Sequence, residues 1–261
     1  MDCLKVRDYL EFIDGFAPFE TADDFDNVGL IVGDPEDLVK KVLVSLDLTS
    51  QVIAEAEEIG ANLIITHHPV IFTPIKRVVS SDVQGNLVIK LIKSNINHIA
   101  AHTNLDRAEK GVDFALTKAL KLNHDVVSDN GYVWGGHYVK PIQSNQFINI
   151  IKNQLKLDPL VIAGDMPSEI TKVAVCSGAG GGEIKVAYDM GYRVFITGEL
   201  KHDLAIVANE LSICVIVAGH YQTESIVLPI LQDHLQNLHN SVQCTVEIKV
   251  SEKESSPRRY L

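Results

Sequence analysis

The amino-acid sequence predicts an α/β protein built as two α/β domains of mixed, largely parallel sheets. Three observations carry this. The 261 residues, 46% hydrophobic and 22% charged, are those of a chain able to bury a real core in one large or two small domains. Short apolar runs rich in β-branched residues alternate with segments whose apolar residues recur at helical spacing, the rhythm of strands joined by helices. A Gly- and turn-rich stretch at 125–142 interrupts that rhythm. It sets the expected boundary between an N-terminal domain, 1–125, and a C-terminal half, 126–261, whose last elements have the option of packing back on the first domain.

Taken in order, VRDYLEFIDGF opens as a helix stopped by Gly15 and Pro18. Asp26 to Gly33 reads as a turn entering a short strand. KVLVSLDL (41–48) is a strand, SQVIAEAEEIG (50–60) a helix with a Gly stop, and ANLIITHHP (61–69) a buried strand ending in two histidines and a proline. NLVIKLIKSN (86–95) is a helix, NHIAAHTNLD (97–106) a strand running into a polar loop, and GVDFALTKAL (111–120) a helix. The second half repeats the pattern. NQFINIIKNQL (145–155) is helical, PLVIAG (159–164) extended, KVAVCSG (172–178) a strand and EIKVAYDMG (183–191) a helix. YRVFITG (192–198) is a strand, HDLAIVANE (202–210) a helix and SICVIVAGH (212–220) a strand. ESIVLPILQDHLQNL (224–238) reads as a helix carrying Pro229, and VQCTVEIKV (242–250) as an alternating, half-buried strand before a polar tail.

Composition narrows the function classes. A net charge of −11 and a pI near 5.3 weigh against non-specific nucleic-acid binding, which needs a basic face. No stretch approaches the roughly 20 apolar residues of a membrane helix. The N-terminus has charges where a signal peptide needs an apolar run. Cys3, Cys176, Cys214 and Cys244 form no CxxC pair; buried thiols in a reducing cytoplasm are the expectation.

In open α/β sheets, ligands gather outside the carboxyl ends of strands. Three such ends here carry imidazoles or carboxylates: Thr66-His67-His68-Pro69, His102-Thr103-Asn104-Leu105-Asp106 and His220-Tyr221-Gln222-Thr223-Glu224. Each has an ordinary reading: one buried and one surface histidine, an Asx-turn at Asn104, a Glu224 complementing a helix dipole. Three independent ends offering nitrogen and oxygen ligands together point to a divalent transition metal, Zn, Fe, Mn, Co or Ni, with Zn, Fe or Mn foremost. Three histidines and two carboxylates exceed what one open catalytic ion takes. They suit two ions about 3.5–4 Å apart.

THHP (66–69), AHTNLD (101–106), GHYQTE (219–224) and DNVGLIVG (26–33) resemble the Nif-three-like family. Its members are also called GTP cyclohydrolase I type 2 homologues, or dinuclear-metal-centre hexameric proteins. The resemblance spans roughly 4 to 250, with the motifs in family order. It implies two α/β domains with the metal site between them, and a toroidal homohexamer. It implies two divalent metal ions per subunit, held by His67, His68, Asp106, His220 and Glu224. His102 matches a family histidine near the site, expected to be catalytic or to support the ligands.

Three further features carry two readings each. Ser177 to Gly182, a Gly-rich turn between strand and helix, is either a phosphate cradle or a tight connection; no Gly-Lys-Ser/Thr follows to make it a Walker loop. Glu199, Lys201 and His202 either line the site, with Lys201 on a phosphate, or begin a helix. Asp26-Asn27 either shape the site floor or form a turn. His98, His124, His137, His234 and His239 read as surface or packing residues. The expectation is a metal-dependent hydrolase resembling GTP cyclohydrolase I type 2, converting GTP to dihydroneopterin triphosphate and formate. The alternatives are a non-catalytic metal-binding scaffold or regulator, and a metal-dependent phosphoesterase acting on nucleotides.

Overall fold

The β-branched runs become strands and the runs of helical period become helices, in the order read from the sequence. The computed structural model describes residues 4–242 and 246–259. Cys3, Cys244 and part of the VQCTVEIKV run lie outside the described residues. The chain divides into two units, Met1–Glu109 with Leu228–Ser255, and Lys110–Val227 with Ser256–Leu261. No helix among the described residues is long and apolar enough to cross a membrane.

The first unit starts with α1 (Val6–Phe16), β1 (Gly29–Val32), β2 (Lys41–Ser45), α2 (Ser50–Ile59), β3 (Leu63–Thr66), α3 (Val83–Lys93), β4 (Asn97–Ala100) and α4 (Thr103–Arg107). The second holds α5 (Val112–Ala119), β5 (Asn123–Val127), β6 (Trp134–Gln143), α6 (Ser144–Leu155), β7 (Val161–Ala163) and β8 (Glu169–Cys176), followed by α7 (Ile184–Asp189), β9 (Val194–Thr197), α8 (His202–Glu210), β10 (Cys214–Val217) and α9 (His220–Glu224). The chain then returns to the first unit with α10 (Leu228–Val242) and β11 (Glu247–Val250).

The first sheet has the order β1-β4-β3-β2-β11. All its pairs are parallel except β1 with β4. Leu43 and Ile64 pack with Val52, Ile53 and Ala56 of α2 and Val88 and Leu91 of α3. On α10, which packs on β2 and β11, His239 is fully buried and its Nε2 lies 2.7 Å from the Tyr9 hydroxyl of α1. Covered strands need no polar face, and β3 is buried at every position. After β11 the chain stays tied down. Glu55, buried on α2, accepts hydrogen bonds from the Ser251 hydroxyl and from the Glu252 and Lys253 amides.

The second sheet has the order β5-β6-β8-β9-β10-β7. β8, β9 and β10 are parallel, while β5, β6 and β7 join antiparallel. Side chains alternate between two cores, as strand geometry requires. Val173, Val175, Val194, Ile196, Cys214 and Ile216 meet Leu116 of α5 and Phe147 and Ile151 of α6. Ala174, Cys176, Phe195 and Val215 meet Ala187 of α7 and Ala208 of α8. Cys176 and Cys214 are buried thiols, as expected.

Three local expectations change. The polar loop expected after β4 winds into α4, because the His102 carbonyl accepts from both Leu105 and Asp106 amides. The turn-rich stretch 125–142 folds as the β5–β6 hairpin, with Gly131 at φ +82° in the connection. The helix read from Glu224 breaks in two: α9 ends at Glu224 and α10 starts at Leu228. Pro229 then sits in the first turn of α10, where a missing N–H costs nothing.

His98 is a packing residue with a measurable consequence. The Thr66 hydroxyl donates to the His68 carbonyl at 2.6 Å, so His98 Nε2–H is the donor to Thr66 Oγ1 at 2.7 Å. Burial holds the imidazole neutral, pushing its pKa down from 6.5 to about 3. The unfolded chain takes up this proton below about pH 6.5 and the folded chain does not, so the contribution to stability is present above 6.5 and lost towards 3. We expect the stability difference between wild type and His98→Asn to shrink by about 1.4 kcal/mol per pH unit from pH 6 to 4. Urea denaturation across that range checks it, and a pH-independent difference rejects it.

Candidate metal centre

In the first unit, strand register creates the site. Ser45 stands opposite Thr66, and Thr66 opposite Ala100. The carboxyl ends of β2, β3 and β4 are therefore level, and Asp47, His67, His68 and His102 follow them along one edge. The rings of His67, His68 and His102 lie 4.8, 5.0 and 5.3 Å apart, centroid to centroid. Each offers a nitrogen within 4.8 Å of the others'.

All three rings are oriented by an oxygen on Nδ1. His67 Nδ1 meets the Ala101 carbonyl at 3.0 Å, His68 Nδ1 meets Asp47 Oδ1 at 2.8 Å, and His102 Nδ1 meets Asp26 Oδ1 at 2.8 Å. With Nδ1–H donated, the lone pair is on Nε2, the arrangement by which proteins prepare imidazoles for metal. Asp106, on α4, places Oδ1 3.6 Å from Nε2 of the fully buried His67. The donors fit a divalent transition metal in type and preparation.

The supports of these rings are themselves fixed. Asp26 also accepts the Thr103 amide at 3.0 Å and the Thr103 hydroxyl at 2.6 Å. Burial works to raise its pKa, but the hydrogen bonds from His102 and Thr103 prevail and hold it well below the usual carboxylate range. Asp26 thus braces His102, while the Asn27 side chain donates to the Ile71 carbonyl. Asp47 is held by its own amide, which Glu254 of the tail accepts together with that of Leu46. Burial pushes the Glu254 carboxyl up.

The second unit repeats the device. Cys176 and Val217 both stand opposite Thr197, so Ser177-Gly178, Gly198-Glu199 and Gly219-His220 leave the sheet at one level. His220 opens α9 and Glu224 closes it one turn later, bringing His220 Nε2 to 3.1 Å from Glu224 Oε1. His220 Nδ1 is 3.3 Å from Glu199 Oε1, and Arg258 of the tail holds the same oxygen at 2.7 Å. Thr223 does not cap the helix. Its hydroxyl bonds back to the Gly219 and His220 carbonyls and accepts the Gly178 amide at 3.1 Å. Gly178 has φ +55°, and a Cβ there would land on Glu224 Oε1. Beneath lies Asp113 of α5, whose Oδ1 accepts the Ser177 amide at 2.7 Å. Burial lifts its pKa to about 7, the Glu224 charge adding to the rise and the Ser177 bonds opposing it.

The expected residues therefore gather in two sets: His67, His68, His102 and Asp106 in the first unit, and His220 with Glu224 in the second. Glu199 joins the second set, while Lys201 and His202 are exposed at the start of α8. Asp47, Asp113, Glu254 and Arg258 were not read from the sequence as part of the site. Asp47 lies two residues beyond β2, level with the histidines, and the parallel order of strands was the signal for it.

The family model described as Duf34/NIF3 (NGG1p interacting factor 3) matches residues 4–257. The chain belongs to this family. Among Duf34/NIF3 relatives, it is 32% identical to a GTP cyclohydrolase 1 type 2 homolog of Clostridium perfringens over 99% of this chain and 100% of that one. It is 33% identical to the protein of the same name from Clostridium acetobutylicum, over 98% and 99%. Among solved Duf34/NIF3-like structures, Staphylococcus aureus protein SA1388 superposes with a TM-score of 0.92 at 27% identity, all of both chains being covered. Reduced HcgD from Methanocaldococcus jannaschii superposes at 0.82 with 31% identity, over 95% of this chain and 98% of that one.

Proposed function

We propose that this Duf34/NIF3 member holds two divalent transition-metal ions on His67, His68, Asp106, His220 and Glu224, and acts as a metal-dependent hydrolase on a guanine nucleotide. One observation carries the metal reading: every candidate imidazole has an oxygen on Nδ1, namely Ala101, Asp47, Asp26 or Glu199. His137 makes a like contact, to Asp125, but joins no group of donors among the described residues, whereas His67, His68 and His102, so held, bring their nitrogens within 4.8 Å of one another. The names of the curated relatives support the hydrolytic part and the choice of nucleotide. Assembly as a homohexamer belongs to the same reading.

Bound ions would supply Lewis acidity and activate water for attack. The chain's own residues do the rest. Asp47, Asp26 and Glu199 keep the rings from turning. His102, its Nδ1–H given to Asp26, presents Nε2 to take up or deliver the proton that the leaving group needs. In the cyclohydrolase reaction, water adds at the imidazole carbon of guanine and formate leaves.

Elemental analysis of the purified protein is expected to give two equivalents of divalent metal per chain. Incubation with GTP is expected to release formate and a fluorescent pterin, activity that a chelator removes. Protein without retained metal overturns the reading. Protein that keeps its metal and leaves GTP intact reduces it to the metal-binding scaffold.

A further inference from the structure

The second unit holds a cavity that the metal reading leaves unused. It measures about 610 Å³, within the roughly 300–1,000 Å³ usual for small-molecule sites. One wall is apolar, formed by Val161 and Ile162 of β7, Val217 of β10, and Leu200 and Leu204. Val161 and Ile162 are 62% and 42% exposed, apolar surface kept in contact with water where folding alone gains nothing from it.

The rest of the lining is backbone and charge. Gly181 is packed so tightly that a Cβ would meet the Glu199 carbonyl, whereas a Cβ on Gly182 meets nothing within 4 Å. The glycine turn is thus fixed at one residue and open at the next. Lys201 and Arg258 bring two positive charges against the one negative charge of Glu199, a local excess of one cation in a chain of net charge −11. The Glu199 carboxylate is already engaged by Arg258 at 2.7 Å and by His220 Nδ1 at 3.3 Å, which blunts its repulsion of an anion. Through Glu199 the cavity adjoins a candidate metal ligand.

We propose that this cavity binds a small amphiphilic anion. Its phosphate or carboxylate head sits on Lys201, Arg258 and the open glycine turn. Its apolar or planar body lies on Val161, Ile162 and Leu204. Binding depends only on residues of the second unit. The further assignment of this anion as the substrate rests on the metal reading, since the Glu199 link is what sets it beside His220.

Isothermal titration of the full chain, freed of metal by a chelator that is then removed, tests the binding directly. The probes are 1-naphthyl phosphate, 1-naphthoate and uncharged 1-naphthol. One saturable site per chain is expected for an anion, with naphthol at least tenfold weaker. Lys201→Ala combined with Arg258→Ala, two exposed side chains, is expected to weaken the anion at least tenfold. Gly182→Leu is expected to block it. Tighter binding of the phosphate assigns the head to a phosphoryl group, and tighter binding of naphthoate assigns it to a carboxylate. Failure of both anions to saturate, equal binding of naphthol, or wild-type affinity in the double variant overturns the proposal. Metal content, read separately on untreated protein, reports on the metal reading alone.

Discussion

His67→Ala is expected to cost the protein at least a hundredfold in affinity for divalent metal, and Asp47→Ala about ten- to a hundredfold. The difference has a structural cause. His67 is fully buried, with Nδ1 on the Ala101 carbonyl and Nε2 facing Asp106. Removing it deletes a donor, and no mobile side chain can replace it. Asp47 touches no proposed ion. Its loss leaves His68 in place but frees the ring to rotate and lowers the basicity of Nε2. Competition against a chromophoric chelator measures both. Equal and small losses would show that these histidines bind no metal. A loss on Asp47→Ala as large as on His67→Ala would make the aspartate a ligand rather than a brace.

Gly178→Val is expected to lower stability by about 2–4 kcal/mol and, at the same time, to deplete bound metal. Two penalties add. A β-branched residue is a poor occupant of φ +55°. Its Cβ also needs the space of Glu224 Oε1, with His220 Nε2 next nearest at 3.3 Å. Either Glu224 leaves its position or the turn lifts away and breaks the Gly178 amide bond to Thr223. Gly182→Ala, four residues further along the same glycine run and with nothing within 4 Å of an added Cβ, is the control, expected within about 0.5 kcal/mol of wild type. Thermal unfolding and elemental analysis on both variants check this; a Gly178→Val protein as stable and as metal-rich as wild type rules it out.

These two sites show how far the sequence could be read. His67-His68, Asp106, His220 and Glu224 stood out because imidazoles and carboxylates at strand ends are a local pattern. The strands themselves were legible because β2, β3, β8, β9 and β10 each carry a run of buried, mostly β-branched residues, such as Val42–Val44 and Val173–Cys176. The β5–β6 hairpin was not, since β5 is exposed along most of its length and β6 opens with Gly135 and Gly136. Those glycines look like turn residues, yet a Cβ at Gly135 would strike the Tyr192 hydroxyl, and one at Gly136 would crowd the Asn123 carbonyl. They are there for close packing. Asp47, Glu254 and Arg258 escaped for another reason. Each acts on a residue far along the chain, and only register and the path of the tail bring them there.

The first unit is split in sequence, its final helix and edge strand arriving after Lys110–Val227 of the second unit has been made. A ribosome therefore releases β2 with one hydrogen-bonding edge bare for as long as Lys110–Val227 takes to synthesise. β11 closes that edge, and four residues later Glu254 reaches the Leu46 and Asp47 amides. Metal loading on this reading waits for the finished polypeptide, and a message truncated near its 3′ end would yield a chain that has all its proposed ligands but lacks Glu254 and Arg258, which hold Asp47 and Glu199.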